Sequence, residues 1–529
     1  MGYKVGMSSG MFGTAQGKEK MDYLTVLKKI MWSATKGVTF AQLDLESITE
    51  FGEPHLMDEV KKIKSLGIEF GIHGEMGAMG MKTMTLDSAK PTEYRFSHIR
   101  LMEHIRGSGK MNAKYCLVHA SESQPLILLE SHDLAPAVLV DIWGRPFNEF
   151  LENHPELVEW GIKQQYLMDV IARRLETGNL KKAIEKETEK YRRHYEKEKK
   201  EFTQKVIDEV KQDVIDTFRK ELKSGVYSQN QAYGPERAAY ILIAKWMCSS
   251  DNCPNELKRL WKNIVGNKTV DEIGITEFDK WCPAVSAAYI WGHFMPETCP
   301  KKSQLLKHDY EDPKPLLEKY KLIWVFETAM PEKGYEGHIR LGRIPDMYYL
   351  TQAIKSPWLS VALDAEHLLS CNFDPKKEVE ALPYGAGKNI NVIHMGFPTP
   401  HAPAHVPISV GSKAQVYWYE LLFELRKKGM EDAFFIFERA GLDVVDSTVA
   451  IKLIAQNLEK DVKPKDLPLE FFGMAKMGPE IARQRVAIKE HFLDPIKGML
   501  SIPEEEHGLL SSKAKEKGKL EDWAKEKYK

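Results

Sequence analysis

Cysteine is scarce in this chain, with six in 529 residues. So few exclude a disulfide-stapled scaffold and point to a reducing, cytoplasmic setting. An excess of one charge is also missing. Lys plus Arg number 75 and Asp plus Glu 76, a formal net charge of −1, so no global field draws the chain to nucleic acid. No apolar run reaches the roughly 18 residues that a membrane span needs. The opening segment, MGYKVGMSSG, lacks a basic stretch followed by an apolar one and reads as a strand, not a signal peptide. What is present is apolar material, 43% of the residues. That is enough for about three domains, or for one barrel of about 250 residues with additions.

The first 140 or so residues alternate apolar runs with helical patterns. The runs are Lys4–Met7, Thr39–Leu45, Ile68–Ile72 and Tyr115–Val118. Between them lie amphipathic stretches such as Met57–Leu66, closed by Gly67, a residue suited to the position just past a helix end. The alternation predicts βαβ units and a parallel sheet. Residues 143–315 break it: no buried strand is evident, and Lys, Glu and aromatic residues dominate. There Ile184, Tyr191, Tyr195, Phe202, Val206, Val210, Val214, Phe218 and Leu222 form one apolar stripe of a long helix or helical hairpin. The first pattern resumes with Leu322–Phe326, Leu359–Leu363, Ile390–Ile393 and Phe434–Phe437, separated by helical segments such as Ala414–Lys427.

Four strands precede the break and four follow it. The expected fold is an α/β (β/α)8 TIM barrel with a large α-helical insertion after strand 4. Its halves span 1–142 and 316–445, the insertion 143–315, and C-terminal helices with a charged tail 446–529. The insertion is expected to form a lid over the strand ends, so that a chain lacking 145–312 stays soluble. Four cysteines fall within it, Cys248, Cys253, Cys282 and Cys299, with 4, 28 and 16 residues between them. Those spacings do not match paired zinc knuckles and predict buried free thiols. The run Gly71–Gly80 does not match a dinucleotide fingerprint.

Chemistry in such barrels sits where strands end and loops begin. The third run ends in His73, the fourth in His119 and the fifth in Glu327. The sixth ends in Asp364, with His367 three residues on. The seventh ends in His394, followed by His401 and His405, and the eighth in Glu438. A lone strand-end imidazole or carboxylate is usually just hydrogen-bonded or solvated. Six consecutive strands ending this way point to a divalent metal site. One ion takes about four to six ligands, so His73, His119, Glu327, Asp364, His367, His394, His405 and Glu438 suit two or three ions. Glu327 and Glu438 could bridge ions about 3.5–4 Å apart, as in two-metal hydrolytic sites.

At these residues the chain resembles the xylose-isomerase-like barrel superfamily and, within it, endonuclease IV, the family 2 apurinic/apyrimidinic endonucleases. The likeness covers roughly 1–140 and 320–445. It rests on GIHGE with His73, LVHAS with His119, FETA with Glu327, DAEH from Asp364 to His367, VIHM with His394, His405 before Gly411, and FIFERAG with Glu438. The resemblance implies three zinc ions. His73, His119 and Glu327 would hold the first, Glu327, Asp364, His394 and Glu438 the second, and His367 and His405 the third. Two positions depart from the pattern. Pro403 stands where the family has an Asp two residues before the last His, and His73-Gly74-Glu75-Met76 lacks the aromatic residue that enters DNA.

Two activities follow. In the first, which the resemblance favours, the chain is a hydrolase. Metal-activated water attacks a phosphodiester, as in DNA repair at abasic sites, with Glu327 and Glu438 in catalytic roles. In the second it is a sugar isomerase or epimerase using one Mn, Mg or Co ion, with the same two glutamates as acid and base on a small sugar. A non-enzymatic alternative gives the helical stripe a partner-binding role.

Overall fold

The structure is a computed structural model that describes residues 2–9, 26–35, 37–45, 47–74, 84–121, 139–157, 159–161, 237–275, 277–300, 310–329, 339–396, 406–438 and 444–474. The helical stripe from Ile184 to Leu222, the segment holding His401, Pro403 and His405, and the charged tail lie outside these residues.

Eight parallel strands close into a barrel in the order β1 to β8. They are β1 (Lys4–Ser8), β2 (Phe40–Asp44), β3 (Glu69–His73), β4 (Tyr115–His119), β5 (Ile323–Glu327), β6 (Leu359–Asp364), β7 (Ile390–Met395) and β8 (Phe434–Phe437). The expected fold class is what the strand order gives, and each expected run overlaps its strand. Barrel strands are buried on both faces, which is why they read as continuous apolar runs. Side chains alternate between the two faces. Phe40, Tyr115, Leu117, Val325, Ala362, Val392 and Ile436 point inward and form the packed interior. The helix Val444–Glu459 packs on β1 and β8 and closes the ring. The helix Leu56–Ser65 ends just before Gly67, whose φ of +70° suits glycine.

Between β4 and β5 the described chain is helical: Phe147–Glu152, Arg237–Ser249, Asn255–Ile264, Val270–Ile273, Phe278–Phe294 and Pro313–Tyr320. These helices do not behave as an independent lid. Phe278–Phe294 packs on the barrel helix Ile344–Ile354 and on Arg237–Ser249 and Asn255–Ile264. At its end, Phe294 lies 6.4 Å from Trp324 and 5.9 Å from Phe326, the outward side chains of β5. Deleting 145–312 would therefore uncover the outer face of β5. Cys253 and Cys282 are buried free thiols, Cys299 is buried, and Cys248 is half-buried and also free. Among the described residues no cysteine belongs to a metal-competent cluster. No described helix is long and apolar enough to cross a membrane.

Asp346, in the first turn of the helix Ile344–Ile354, is buried. Burial raises its carboxyl to about 7, against the pull of nearby Arg343 and with the repulsion of Glu378. A raised folded value stabilises the protein at pH below 3.8, and the benefit drains away as pH rises through about 7. That interval corresponds to about 4 kcal/mol. Asp346→Asn is therefore expected to raise unfolding free energy at pH 8 by several kcal/mol and to change little at pH 4. Urea denaturation at both values checks this, and an equal gain at both would contradict it.

Candidate metal centre

The alternation that builds the core also aims the site. Two residues beyond the inward Leu117, Val325, Ala362, Val392 and Ile436 stand His119, Glu327, Asp364, His394 and Glu438. Each shares its strand face and sits where the strand gives way to a loop. Register sets neighbours side by side: His119 opposite Glu327, Asp364 opposite His394, and Asp44 opposite His73. The Asp-x-x-His pattern has a local cause. Asp364 is the N-cap of the helix Ala365–Ser370, and its Oδ1 accepts from the His367 backbone N–H at 2.8 Å. One carboxylate oxygen thus fixes the helix start, while Oδ2 faces the site.

The side chains converge. His394 Nδ1 lies 2.6 Å from Glu327 Oε1, 3.1 Å from Glu438 Oε2 and 3.5 Å from Asp364 Oδ2. Glu327 Oε2 is 3.3 Å from His73 Nε2 and 3.7 Å from His119 Nε2. His367 Nε2 stands 3.9 Å from Asp364 Oδ2. Three overlapping groups have ligand atoms close enough to hold an ion: His73–His119–Glu327, Glu327–Asp364–His367 and Asp364–His394–Glu438. Seven of the eight sequence candidates meet here, and His405 lies outside the described residues.

Whether a cation fits can be read from the nitrogens that face away. His73 Nδ1 is 3.0 Å from the Gly74 carbonyl oxygen, and His367 Nδ1 is 2.8 Å from that of Thr328. His394 Nε2 is 2.9 Å from Gln42 Oε1. Each of these nitrogens meets an acceptor, so each carries the ring proton. The opposite nitrogen then presents a lone pair to carboxylate oxygens, an arrangement typical of metal-ligating imidazoles. Buried His73 Nε2, His394 Nδ1, Asp364 Oδ2 and both oxygens of Glu327 have no hydrogen-bond partner. Acceptors gathered without donors need a cation or protons at their centre.

Charge supports this. Burial alone would lower the His73 imidazole, but the Glu327 carboxylate, with Asp44 and Glu438 beyond it, raises it to about 9. His394 is raised well above its ordinary value for the same reason, overcoming burial. Glu327 is held well below the carboxylate range by His394, again against burial. Without an ion the cluster binds protons where positive charge belongs.

Sequence reading missed four contributors. Asp44 lies on the inward face beside His73, and the Ser8 hydroxyl donates to its Oδ2. Gln42 and Tyr115 complete a hydrogen-bonded group beneath His394. Their signal was the spacing of Gln42 and Asp44 within an otherwise apolar strand.

No protein-family model matches the chain, and neither does any curated protein. Among solved structures, a D-tagatose 3-epimerase-like protein is 11% identical with a TM-score of 0.40, covering 87% of this chain and 100% of its own. An L-ribulose 3-epimerase is 8% identical with a TM-score of 0.39, covering 90% and 100%. A D-psicose 3-epimerase from Clostridium cellulolyticum H10 is 8% identical with a TM-score of 0.36, covering 89% and 98%. The barrel is established by its closed strand order and does not lean on these likenesses.

Proposed function

We propose that this chain is a metal-dependent enzyme that transfers a carbon-bound proton on a small polyhydroxylated carbonyl compound of the sugar class. The carrying observation is the convergence of Glu327, Glu438 and Asp364 on His394 Nδ1, at 2.6, 3.1 and 3.5 Å, in a site where Glu327, Asp364, His394 and Glu438 expose 0%, 2%, 2% and 7% of their surface. A site this deep suits a small molecule better than a duplex backbone. The loop after His73 lacks the DNA-entering aromatic residue, and the near-zero net charge removes long-range attraction to nucleic acid. This reading places the sugar isomerase or epimerase ahead of the endonuclease-like hydrolase.

A divalent ion held by those four residues would supply Lewis-acid polarisation of a substrate carbonyl oxygen. The chain's own residues do the rest. One glutamate, Glu327 or Glu438, takes the proton from the carbon beside the carbonyl, and that bond's electron pair moves toward the carbonyl oxygen. The other glutamate returns a proton to the same carbon, which inverts its configuration, or to the former carbonyl carbon, which isomerises the sugar as the hydroxyl on the first carbon passes its proton to the old carbonyl oxygen. His367, one turn beyond Asp364, is placed to bind a substrate hydroxyl.

A second reading has an observation of its own. His73 and His119 converge on Glu327 Oε2, and His73 presents a lone pair there, so a second ion could sit beside the first. Two ions around a shared carboxylate suit phosphodiester hydrolysis. Metal analysis combined with proton exchange separates the two. The first reading expects about one Mn, Co or Mg per chain, and deuterium from heavy water entering the carbon beside the carbonyl of a ketose. Two or three zinc ions, no exchange with a ketose panel and nicking of an abasic-site duplex would establish the hydrolase instead.

A further inference from the structure

One buried group beneath the metal centre belongs to neither proposed reaction, yet it decides which way His394 faces. Gln42, on the inward face of β2, is buried and has three polar partners. Its Nε2 donates to Asp44 Oδ1 at 3.2 Å. Its Oε1 accepts from the Tyr115 hydroxyl at 2.8 Å and lies 2.9 Å from His394 Nε2. The order of these contacts fixes the amide. A carboxylate that already accepts from the Ser8 hydroxyl requires a donor facing it, so the NH2 of Gln42 points at Asp44 and the carbonyl at Tyr115 and His394. A carbonyl acceptor requires the proton of His394 on Nε2. That leaves the Nδ1 lone pair toward Glu327, Asp364 and Glu438.

The Tyr115 contact has its own structural condition. A Cβ at Gly71 would fall within the Tyr115 ring, so glycine on β3 lets this ring lie across the barrel floor. There it stacks on Phe40 at 5.8 Å and reaches Gln42.

We infer that Gln42, oriented by Asp44 and supported by Tyr115, is a positioning residue that selects the metal-binding tautomer of His394. The link runs from β1 and β2 through the barrel interior to β7. It rests on the metal-centre reading above.

The test is zinc affinity, measured by chelator competition on the full-length chain, with Gln42→Leu and Gln42→Glu. Leu removes the acceptor and leaves an apolar side chain of similar size, with an expected loss of about 10- to 100-fold. Glu keeps an acceptor oxygen toward His394 and, protonated, a donor toward Asp44, so its affinity should stay within a few-fold of wild type. If Gln42 merely filled space, the order would reverse, because Leu packs and a buried carboxyl does not. Leu binding as tightly as wild type, or Glu binding more weakly than Leu, overturns the inference and leaves the metal centre standing. Wild-type protein that takes up no zinc overturns the metal centre and this inference with it. The nitrogen spectrum of zinc-loaded wild type needs no variant: His394 should carry its proton on Nε2, and a proton on Nδ1 rules the assignment out.

Discussion

Glu327→Gln protein is expected to fold and to lose its divalent ion. Glu327 belongs to two of the three ligand groups, and its Oε1 lies 2.6 Å from the ring of a third-group histidine. It is fully buried with both oxygens unpartnered, so no water can replace the charge that the amide removes. Size and shape are unchanged, which separates charge from packing. Loss of an outer partner costs about 10- to 100-fold in metal affinity. Loss of the shared ligand should exceed that, and turnover should fall by at least about 10²- to 10⁴-fold, because the same group moves the proton. Wild-type protein should release protons as it takes up metal, since His73 and His394 hold protons when the ion is absent. The variant should release fewer. Metal content by mass spectrometry, together with calorimetry in two buffers of different ionisation heat, reads both effects. A variant that keeps its metal at wild-type stoichiometry would remove Glu327 from the centre.

The candidate ligands were legible because barrel strands obey two simple rules. Side chains alternate, and parallel strands end in loops on one rim. A histidine or acid closing an apolar run therefore has one place to go, and His119, Glu327, Asp364, His394 and Glu438 all went there. Gln42 and Asp44 were missed by the same habit of reading. In a strand buried on both faces, polar residues look like interruptions, although only an inward polar residue has reason to be there. Their spacing of two matched the inward face of β2. The packing of the insertion's described helices was hidden for a different reason. Phe278–Phe294 contains Ala284–Ile290, apolar almost all round, and is buried over most of its surface. A helix apolar on every side is buried in a core rather than laid over a mouth. Its lysine- and glutamate-rich neighbours in the sequence masked that signal.

The way this helix is seated gives the second large effect. Gly292 lies in its last turn, against the backbone of the segment that follows β4. A Cβ there would meet the Ile142 carbonyl carbon at 2.7 Å and its oxygen closer still. That oxygen also accepts from the Tyr94 hydroxyl at 2.8 Å, and the neighbouring Val140 carbonyl accepts from Tyr289 at 2.9 Å. The obstacle is thus main chain pinned by two tyrosines, and no rotamer change can relieve it. Trp291, beside the glycine, packs edge-on to Trp143 at 6.4 Å and donates its ring N–H to Ala353 on a barrel helix at 3.3 Å. Displacing the helix would break both contacts. Overpacking in cores usually costs about 1–3 kcal/mol, and backbone against backbone should exceed about 3 kcal/mol. Gly292→Ala should therefore melt several degrees below wild type and open residues 139–157 and 277–300 to protease. Gly52→Ala supplies the contrast: nothing lies within 4 Å of its Cβ, and its effect should stay within about 0.5 kcal/mol. If both alanine variants melt with wild type, the Ile142 segment yields freely, and the insertion is held to the barrel less tightly than these contacts require.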